Sequence, residues 1–427
     1  MKKILIIGGG LSGLSSAIFL ANSGFQVELI EASPKLGGRT YSFNYNGFDV
    51  DNGQHILMGC YSNTLEYVNL IDSSKLFDFN KTLYLNSIDA RGHSYKLKVP
   101  KYFYPLNHII GFLKYDLFSV KERIEIIQLL IKIKFMDEKA VENKSLIEFL
   151  VAQNQSEKMI SMFWDNIVIS TMNTKLRLAS TEMFIRLIKI IFFSSKTSAN
   201  IIIPKVDLSS SMIEPARKTI VRSGGKVSTS EKAIAFIIEQ ERIVAVETTK
   251  RTIEKFDYVI SALPEYGLNK IKFKNGFDEL KLLDLNYSPI VSVHVWLKKN
   301  PLKEKMYDLL EGEFDWLFNH GEYVTLLKSS ADKLVTLNKN EVIRIVFSEL
   351  KKYFAILTIE EIKDYVVLKE KRATFISDLD SINQRNSISN PYQNLFLAGD
   401  WTNTGLPATI EGAIKSGKDV SEEIKML

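Results

Sequence analysis

The sequence predicts an α/β fold in which a domain built on a parallel sheet is interleaved with a second, α+β domain. Three observations lead to this prediction. Residues 3–31 have the pattern of an apolar strand, a glycine-rich turn, a helix and a second apolar strand. Residues 394–417 contain another apolar strand, followed by a turn and a helix. The 427 residues are too many for one simple core, and helical and strand-like patterns alternate along them.

The first strand and turn indicate a dinucleotide site. Residues 4–7 are apolar, and Gly8, Gly10 and Gly13 follow in the pattern GxGxxG. In this pattern the first glycine permits a tight turn, the second lets backbone approach a pyrophosphate, and the third lets the helix pack closely against the sheet. The helix N-terminus then faces the phosphates. The unit therefore predicts a Rossmann-like domain.

The end of the second strand indicates which dinucleotide is bound. Residues 27–30 are apolar and lead to Glu31, whose carboxylate can accept hydrogen bonds from both ribose hydroxyls and argues against NADP. Gly37, Gly38 and Arg39 follow. NAD domains do not need this second diglycine and arginine, whereas a group of FAD enzymes uses them to hold the pyrophosphate. We therefore predict non-covalent FAD, the alternative being a simple turn with a solvated arginine.

The C-terminal strand and helix complete the predicted cofactor site. Residues 394–398 predict a buried strand, Gly399 allows a turn, and Asp400 lies at the carboxyl end of the strand, where α/β sheets bind ligands. A helix is expected to start around Pro407, a residue suited to a first helical turn. Its free N–H groups would stabilise the anion of a reduced flavin.

The order of these patterns predicts two discontinuous domains. The FAD-binding domain is expected to comprise residues 1–75, 205–265 and 390–427. The substrate-binding domain is expected to comprise residues 76–204 and 266–389, with a mostly helical, apolar part at 101–195. These apolar helices could line a lipid-sized cavity or simply pack a core.

Composition excludes several classes of protein. The chain is 45% hydrophobic and 25% charged, which is typical of a globular protein. The net charge of +5 comes from scattered lysines, so nucleic acid is not expected as a partner. The single cysteine, Cys60, is interpreted as a core residue and fits a reducing, cytoplasmic location. No apolar stretch reaches the roughly 18 to 20 residues that span a bilayer, and no metal site is predicted.

One segment suggests contact with a membrane surface. Residues 101–136 are rich in aromatic residues, isoleucine and leucine, with interspersed lysines. Apolar residues recur there at helical spacing: Val120, Ile124, Ile127, Ile131 and Phe135. Such a helix could lie in the headgroup layer at the inner face of the membrane. It could equally be a helix that faces the core of a domain.

The two ends of the chain together resemble the flavoprotein superfamily of flavin amine oxidases, phytoene-type carotenoid desaturases and protoporphyrinogen oxidase. Within it, the narrower likeness is to the hydroxysqualene dehydroxylase family, also called squalene-associated FAD-dependent desaturases. That likeness is carried by residues 51–61, 172–181, 369–375 and 397–417, of which GDWTNTGLPATIEGA in the last segment is the most specific. The resemblance covers nearly the whole chain and implies an amine oxidase-like arrangement of the two domains.

The resemblance also implies which residues bind FAD. The adenosine and pyrophosphate half is expected to contact Gly8, Gly10, Leu11, Ser12, Gly13, Glu31, Gly38 and Arg39. Backbone near Ala233 is expected to hold the adenine. Asp400, next to Gly399, is expected at the ribityl or pyrophosphate region. The residues expected close to the isoalloxazine are Leu406, Pro407, Ala408 and Thr409.

The segment 51–55 lies where amine oxidases carry a diglycine along the flavin face, and here Gln54 and His55 replace those small residues. This departure weakens the amine oxidase interpretation. The resembled family reduces hydroxysqualene to squalene, with hydride from reduced FAD and loss of water. We expect His55, oriented by Asp51 and beside Gln54, to protonate the leaving hydroxyl. The alternative is that these residues only fix the loop and the flavin by hydrogen bonds.

The implied substrate is a long-chain isoprenoid, held by apolar burial. An external electron donor is expected but not identified, since the sequence carries no second nucleotide motif and no set of iron–sulfur cysteines. Two other functions remain open at this point. One is a carotenoid-precursor desaturase or amine oxidase-like enzyme, and the other is a lipid carrier on the same fold.

Overall fold

The computed structural model describes residues 1–141, 144–276, 283–354, 358–388 and 390–427. Its centre is a five-stranded sheet in which all neighbouring strands are parallel. In spatial order the strands are Lys226–Ser228, Gln26–Ile30, Lys3–Ile7, Tyr258–Ser261 and Leu395–Leu397. Both ends of the chain therefore meet in one sheet, which confirms the predicted α/β fold class.

Two helices from opposite ends of the chain pack against each other beside this sheet. Helix Leu11–Asn22 follows the first strand, and helix Ile410–Met426 follows the last. Their crossing requires Gly417, because a Cβ atom there would lie 2.1 Å from Ser15 Oγ and 2.4 Å from Ser12 O. Helices Ser62–Leu70 and Glu214–Arg222 contribute to the same apolar core.

A four-stranded sheet covers the other side of the central sheet. Its order is Thr252–Glu254, Arg242–Thr248, Ala233–Glu239 and Lys272–Lys274. The last of these strands falls in the range predicted for the substrate domain, yet it pairs in parallel with Ala233–Glu239 of the predicted FAD-binding domain. Short strands build two small sheets: Ser42–Tyr45 with Phe48–Asp51, and Leu57–Met58 and Phe77–Phe79 with Ile201–Pro204.

A seven-stranded sheet forms the second large layer of the molecule. Its strands, in spatial order, are Ile362–Phe375, Tyr287–Leu297, Tyr323–Lys328, Trp316–Asn319, Met306–Leu309, Tyr84–Ile88 and Ser94–Lys98. Helix Lys339–Phe354 packs against it and shares an apolar core with its central strands. Helix Glu265–Leu268 connects the central sheet to the four-stranded sheet, and helix Leu379–Asn386 connects the seven-stranded sheet to the last strand of the central sheet.

A helical layer surrounds a separate apolar core. Its helices are Leu106–Leu113, Val120–Phe135, Leu146–Ala152, Glu157–Met159, Asp165–Met172 and Thr181–Phe193, with a π-helical turn at Ile160–Trp164. Ser119 begins the second of these helices with a capping box, in which it pairs reciprocally with Glu122. Short turns of 3₁₀ or π type lie at Ser74–Leu76, Glu138–Val141, Ser209–Ile213 and Ile359–Glu361.

Helix Val120–Phe135 presents most of the predicted apolar stripe to solvent. Val120 is 64% exposed and Phe135 is 78% exposed, whereas Ile127 is buried. A different set of residues faces the core: Ile126, Leu129, Leu130 and Ile133. In the described ranges no helix is both long and apolar enough to cross a membrane.

Candidate active site

A cavity of about 560 Å³ lies at the carboxyl ends of the central parallel strands. Gly8, Glu31, Ala262 and Gly399 line it, and each follows one of four neighbouring strands within two residues. This is the edge at which open α/β sheets bind ligands. The cavity continues from there to the helical layer and the seven-stranded sheet.

Two glycine turns leave the backbone open to this cavity. A Cβ atom at Gly13 would lie 2.0 Å from Gly8 O, and one at Gly37 would lie 2.2 Å from Thr40 O. The Gly37 N–H donates to Gly9 O at 2.8 Å, which holds the turns together. At Gly10 the nearest atom to a Cβ would be Gly38 Cα at 4.0 Å, so the main chain faces open space. The structure therefore fits close approach of a pyrophosphate to backbone.

The acid at the end of the second strand is positioned by the same turn. Glu31 accepts hydrogen bonds from the backbone N–H groups of Gly9 (2.6 Å) and Ser33 (2.7 Å) and lines the cavity. The Glu231 N–H donates to the Glu31 carbonyl at 2.8 Å and brings the strand that contains Ala233 near. Ala233 itself is 3% exposed and is not among the residues that line the cavity.

Arg39 joins the second glycine turn to the C-terminal loop. Its Nη2 lies 2.7 Å from both carboxylate oxygens of Asp400, and its Nη1 donates to Ala373 O at 2.8 Å. This charge-assisted contact is of the strong class, and the guanidinium also lines the cavity. The sequence placed both residues at the cofactor, and the structure brings them together.

The C-terminal helix begins later than the sequence predicts. Its first residue is Ile410, and Thr409 caps it by accepting the Gly412 N–H at 3.0 Å. Pro407 therefore lies before the cap, so its predicted place in the first helical turn is wrong. A hydroxyl can satisfy a free N–H of the helix, whereas proline cannot.

Only two of the four residues predicted near the isoalloxazine line the cavity. Ala408 and Thr409 line the cavity. Leu406 packs against the core of the helical layer, and Pro407 is buried and does not line the cavity. Among the predicted residues at the glycine turn, Leu11 and Ser12 line the cavity.

Three residues near the cavity were missed by the sequence analysis. Trp401 lines the cavity, and its Nε1–H donates to Leu263 O at 2.9 Å. Arg385 is buried and donates to Thr402 O at 2.6 Å, and burial lowers its pKa to about 10. Glu411 accepts bonds from the first turn of helix Ser62–Leu70. Trp401 and Glu411 both lie within the C-terminal motif GDWTNTGLPATIEGA, whereas no pattern in the sequence signals Arg385.

The loop 51–55 contributes polar groups to the cavity. Asn52, Gly53, Gln54 and His55 line it. His55 Nδ1 lies 2.7 Å from the Gly53 carbonyl, which only accepts, so Nδ1 carries the proton. Burial lowers the pKa of His55. The hydrogen bond to Gly53 raises this pKa and the Arg39 charge lowers it, and the net shift is downward. The neutral ring therefore offers Nε2 as an acceptor.

The expectation that Asp51 orients His55 is wrong. The Asp51 carboxylate accepts from the Ser42 hydroxyl at 2.7 Å and from the Leu208 N–H at 2.8 Å. It is not among the cavity-lining residues, and burial raises its pKa to about 6. Gln54 donates weakly to the carbonyl of His55 at 3.3 Å. Asp51 is therefore a structural residue that fixes the start of the loop.

The end of the cavity away from the glycine turns carries large apolar side chains. Helix Asp165–Met172 contributes Ile169 and Met172, and the seven-stranded sheet contributes Trp316 and Phe318. The indole N–H of Trp316 donates to Ser170 Oγ at 2.9 Å, which links the sheet to the helix. Polar residues also line this end: Ser170, Thr171, Asn173, Ser329, Glu370 and Thr374. A glycine-rich end and an end with large apolar side chains thus belong to one cavity.

Comparison with known proteins identifies the class of this site. The family model described as flavin containing amine oxidoreductase matches residues 11–425. The chain belongs to this family. It is an FAD-dependent oxidoreductase, and family membership favours an enzyme over the lipid-carrier alternative.

Individual relatives agree with this assignment. The chain is similar to hydroxysqualene dehydroxylase of Zymomonas mobilis, with 25% identity over 99% of each chain. It is also similar to the chloroplastic 15-cis-phytoene desaturase of Arabidopsis thaliana, with 23% identity over 99% of this chain and 80% of that one. An oxidoreductase of Methanosarcina mazei shares the fold, with a TM-score of 0.76, 18% identity and coverage of 98% of this chain and 100% of that one.

Proposed function

We propose that this enzyme reduces hydroxysqualene to squalene, with loss of water. The observation that carries the proposal is one cavity that joins the glycine turns and the polar loop 51–55 to an end with large apolar side chains. An isoprenoid alcohol has the same two parts, a hydroxyl group and a long hydrocarbon. Full-length similarity to hydroxysqualene dehydroxylases supports this reaction over others of the family.

The cofactor is proposed to lie along the carboxyl ends of the central strands. Backbone at Gly10 and Gly38 is available to the pyrophosphate, Glu31 to the ribose hydroxyls, and Arg39 with Asp400 to the phosphates or ribityl chain. Further residues proposed to contact FAD are Gly8, Leu11, Ser12, Gly13, Gly399, Ala408 and Thr409, with backbone near Ala233 for the adenine. When bound and reduced, FAD would supply a hydride to the carbon that loses the hydroxyl group, and the hydroxyl would leave as water with a proton from solvent.

The structure changes the role we propose for His55. A proton donor must carry a proton that it can release to the leaving hydroxyl, but neutral His55 uses its only N–H on Gly53. Because burial lowers the pKa of His55, the doubly protonated ring is disfavoured at neutral pH. We therefore propose that Nε2 of His55 accepts the substrate O–H and orients it, while Gln54 offers a neighbouring amide.

A pH profile distinguishes the two roles of His55. The measurement is single-turnover oxidation of the photoreduced enzyme by hydroxysqualene between pH 5 and 8. If His55 orients the hydroxyl, its protonation at low pH removes the acceptor and the rate falls. A rate that instead rises as the pH falls, and becomes flat in the His55→Gln variant, would restore the acid role.

A second candidate function is desaturation of a carotenoid precursor. It is favoured by the similarity to 15-cis-phytoene desaturases over nearly the whole chain. The two reactions run in opposite redox directions. Anaerobic hydroxysqualene should oxidise the photoreduced enzyme and yield squalene, whereas phytoene should leave the oxidised enzyme unchanged. Reduction of the oxidised flavin by phytoene, without turnover of hydroxysqualene, would favour the desaturase.

We also propose that the helical layer contacts a lipid surface, which is where the substrate would reside. Besides the exposed stripe of helix Val120–Phe135, two aromatic residues just before helix Leu106–Leu113 are exposed: Tyr102 (68%) and Phe103 (75%). Lys121, Lys132 and Lys134 are also exposed near the stripe. Co-sedimentation with vesicles of anionic lipid should decrease strongly in a Phe103→Ser, Phe135→Ser variant. Equal binding by both proteins would remove this proposal.

A further inference from the structure

One strand of the seven-stranded sheet supports the loop 51–55 from beneath. Ser292, His294 and Trp296 alternate along strand Tyr287–Leu297 and therefore point to the same face. A Cβ atom at Gly53 would lie 3.1 Å from Ser292 Oγ, and His294 Nε2 lies 3.0 Å from the Asp51 carbonyl. The three side chains thus lie along the loop and along the hairpin before it, which is formed by strands Ser42–Tyr45 and Phe48–Asp51.

The hairpin before the loop rests on the same strand face. The ring of Trp296 lies 5.3 Å from that of Tyr45 and 5.5 Å from that of Phe48. Tyr45 also donates to Asp364 Oδ1 at 3.2 Å, on the neighbouring strand Ile362–Phe375. Aromatic packing therefore holds the hairpin, and His294 makes the polar contact closest to the cavity loop.

The hydrogen bonds around His294 fix its tautomer. The Asp51 carbonyl can only accept, so Nε2 of His294 carries the proton and Nδ1 accepts. Thr325 lies directly opposite on the adjacent strand, and its hydroxyl donates to Nδ1 at 2.8 Å. The Thr325 oxygen in turn accepts from Nε2 of His320 at 3.0 Å. The chain of donors runs from His320 through Thr325 and His294 to the loop.

Burial keeps the two histidines of this series of hydrogen bonds, His294 and His320, neutral. His294 is 2% exposed and Thr325 is fully buried. Burial lowers the pKa of His294 and of His320 to about 4, and for His320 the neighbouring His294 lowers it further. Both rings are therefore neutral at the pH at which the enzyme would act, and each has one N–H to donate. His320 also stacks on Tyr323, with ring centroids 4.4 Å apart.

We propose that His294 is a positioning residue that fixes the loop 51–55 against the cofactor cavity. Asp51 is held on two sides, by Ser42 and Leu208 at its carboxylate and by His294 at its carbonyl. The next residues, from Asn52 to His55, line the cavity. Loss of the His294 contact would leave a part-buried carbonyl without this donor and release the loop at the proposed meeting place of FAD and substrate.

The first test measures FAD binding, independently of the substrate. His294→Leu should weaken FAD affinity by at least about fivefold, the effect of one hydrogen bond, and shift the flavin absorbance maximum. His294→Gln keeps a side-chain N–H donor, so it should recover part of the FAD affinity and part of the original absorbance maximum. Unchanged FAD affinity and absorbance in a folded His294→Leu protein, or equal losses with Leu and Gln, would overturn the proposal.

His108→Leu provides a matched control. His108 is 6% exposed, its Nδ1 has no hydrogen-bond partner in the described part of the chain, and it packs against Tyr104 and Phe192 in the helical layer. The same substitution there removes a buried imidazole that does not line the cavity, so FAD affinity and absorbance should not change. A loss equal to that of His294→Leu would show a general effect of removing a buried histidine and overturn the proposal.

A second pair of variants tests the role of Thr325. Thr325→Val has nearly the same shape but no hydroxyl, so Nδ1 of His294 loses its hydrogen-bond donor and FAD affinity should fall about two- to threefold. Thr325→Ser keeps the hydroxyl and should bind FAD like the unsubstituted protein. Equal FAD affinity in the Val and Ser variants would overturn the part of the proposal that concerns Thr325.

The tautomers can also be measured without any substitution. The chain contains five histidines, so ¹⁵N-histidine labelling of the holoenzyme and long-range ¹H–¹⁵N correlation can resolve each ring. His294 and His320 should both be neutral with the proton on Nε2, whereas His55 should carry it on Nδ1. A proton on Nδ1 of His294 would overturn the proposal even if the variants do not fold.

Discussion

The proposed cofactor side and the proposed substrate side of the cavity are built in different ways. On the cofactor side, Gly10 and Gly38 leave main chain open, and each contributing turn spans only a few residues. On the substrate side, the walls come from helix Asp165–Met172, strand Trp316–Asn319 and strand Ile362–Phe375. A short motif can therefore define a cofactor site, whereas the substrate site depends on packing between distant segments.

The largest expected effect is a change within the second glycine turn. In Gly37→Ala the new Cβ would lie 2.2 Å from Thr40 O, at a backbone φ of +110°. The turn must open, and the bond from the Gly37 N–H to Gly9 O is weakened. The dissociation constant for FAD should rise about 100-fold, equivalent to roughly 3 kcal/mol, as measured by titration of the apoprotein.

Gly92→Ala provides the control for that substitution. Gly92 also has a positive φ, +80°, but no atom of the described residues lies within 4 Å of its Cβ position. This variant carries a similar backbone cost away from the cavity. FAD affinities that fall equally in the two variants would contradict the importance of the turn.

A smaller effect is expected for Arg39→Lys, which keeps the positive charge but removes the planar guanidinium group. Lysine in Arg39→Lys cannot make the paired contact with both oxygens of Asp400 and the bond to Ala373 O together. FAD should bind about tenfold more weakly, with the flavin still reducible. Arg217→Lys, on an exposed residue of helix Glu214–Arg222, should bind FAD normally. Normal binding by Arg39→Lys would show that charge alone suffices.

The third prediction concerns the loop where the two sides meet. Burial raises the pKa of Asp51 from 3.8 to about 6, so the folded chain holds this proton more tightly than the unfolded chain. The free energy of unfolding should therefore fall as the pH rises from about 4 to 6. Asp51→Asn cannot ionise and keeps an oxygen that can accept from Ser42 and Leu208.

Denaturant unfolding of the apoprotein measures this effect. At pH 8, Asp51→Asn should be more stable than the unsubstituted protein by about 1–2 kcal/mol. Below pH 4 the carboxyl is protonated in both states, so the gain should disappear. A gain of the same size at both pH values would rule out ionisation of Asp51 as its cause.

The smallest effect is expected on the substrate side. Trp316→Phe removes the indole N–H that donates to Ser170 and part of the apolar wall. KM for hydroxysqualene should rise about three- to fivefold, while kcat and FAD affinity stay unchanged. Ser170→Ala removes the same hydrogen bond but keeps the indole, so a normal KM there would assign the effect to apolar contact. A loss of FAD affinity in Trp316→Phe would contradict the separation of the two sides.

Local motifs made the cofactor side predictable from sequence. Gly8, Gly10, Glu31, Arg39 and Asp400 all line the cavity, because each lies in a short turn directly after a strand or in the diglycine segment. The parallel sheet followed from the same strand–turn–helix patterns. Steric requirements on glycine and the fixed edge of a parallel sheet leave few alternatives for such residues.

Contacts between distant segments could not be predicted in this way. Arg385 donates hydrogen bonds to the main-chain carbonyls of Asp400 and Thr402. Every residue has such a carbonyl, so the sequence does not indicate which one a side chain will contact. Asp51 is adjacent to the cavity loop, yet its partners Ser42 and Leu208 turn its carboxylate elsewhere. Pro407 matched the preference for a first helical turn, but the Thr409 hydroxyl was the better cap. Each of these outcomes depends on tertiary contacts rather than local propensity.

The strand order of the central sheet has a consequence for synthesis of the protein. Strand Lys3–Ile7 is made first, but its partner Tyr258–Ser261 emerges from the ribosome much later, and Leu395–Leu397 later still. One edge of strand Lys3–Ile7 can pair early with Gln26–Ile30, but its other edge has no partner until Tyr258–Ser261 is made. The cavity is therefore complete only once Asp400 has been synthesised, and until then the growing chain exposes an apolar strand edge that favours aggregation.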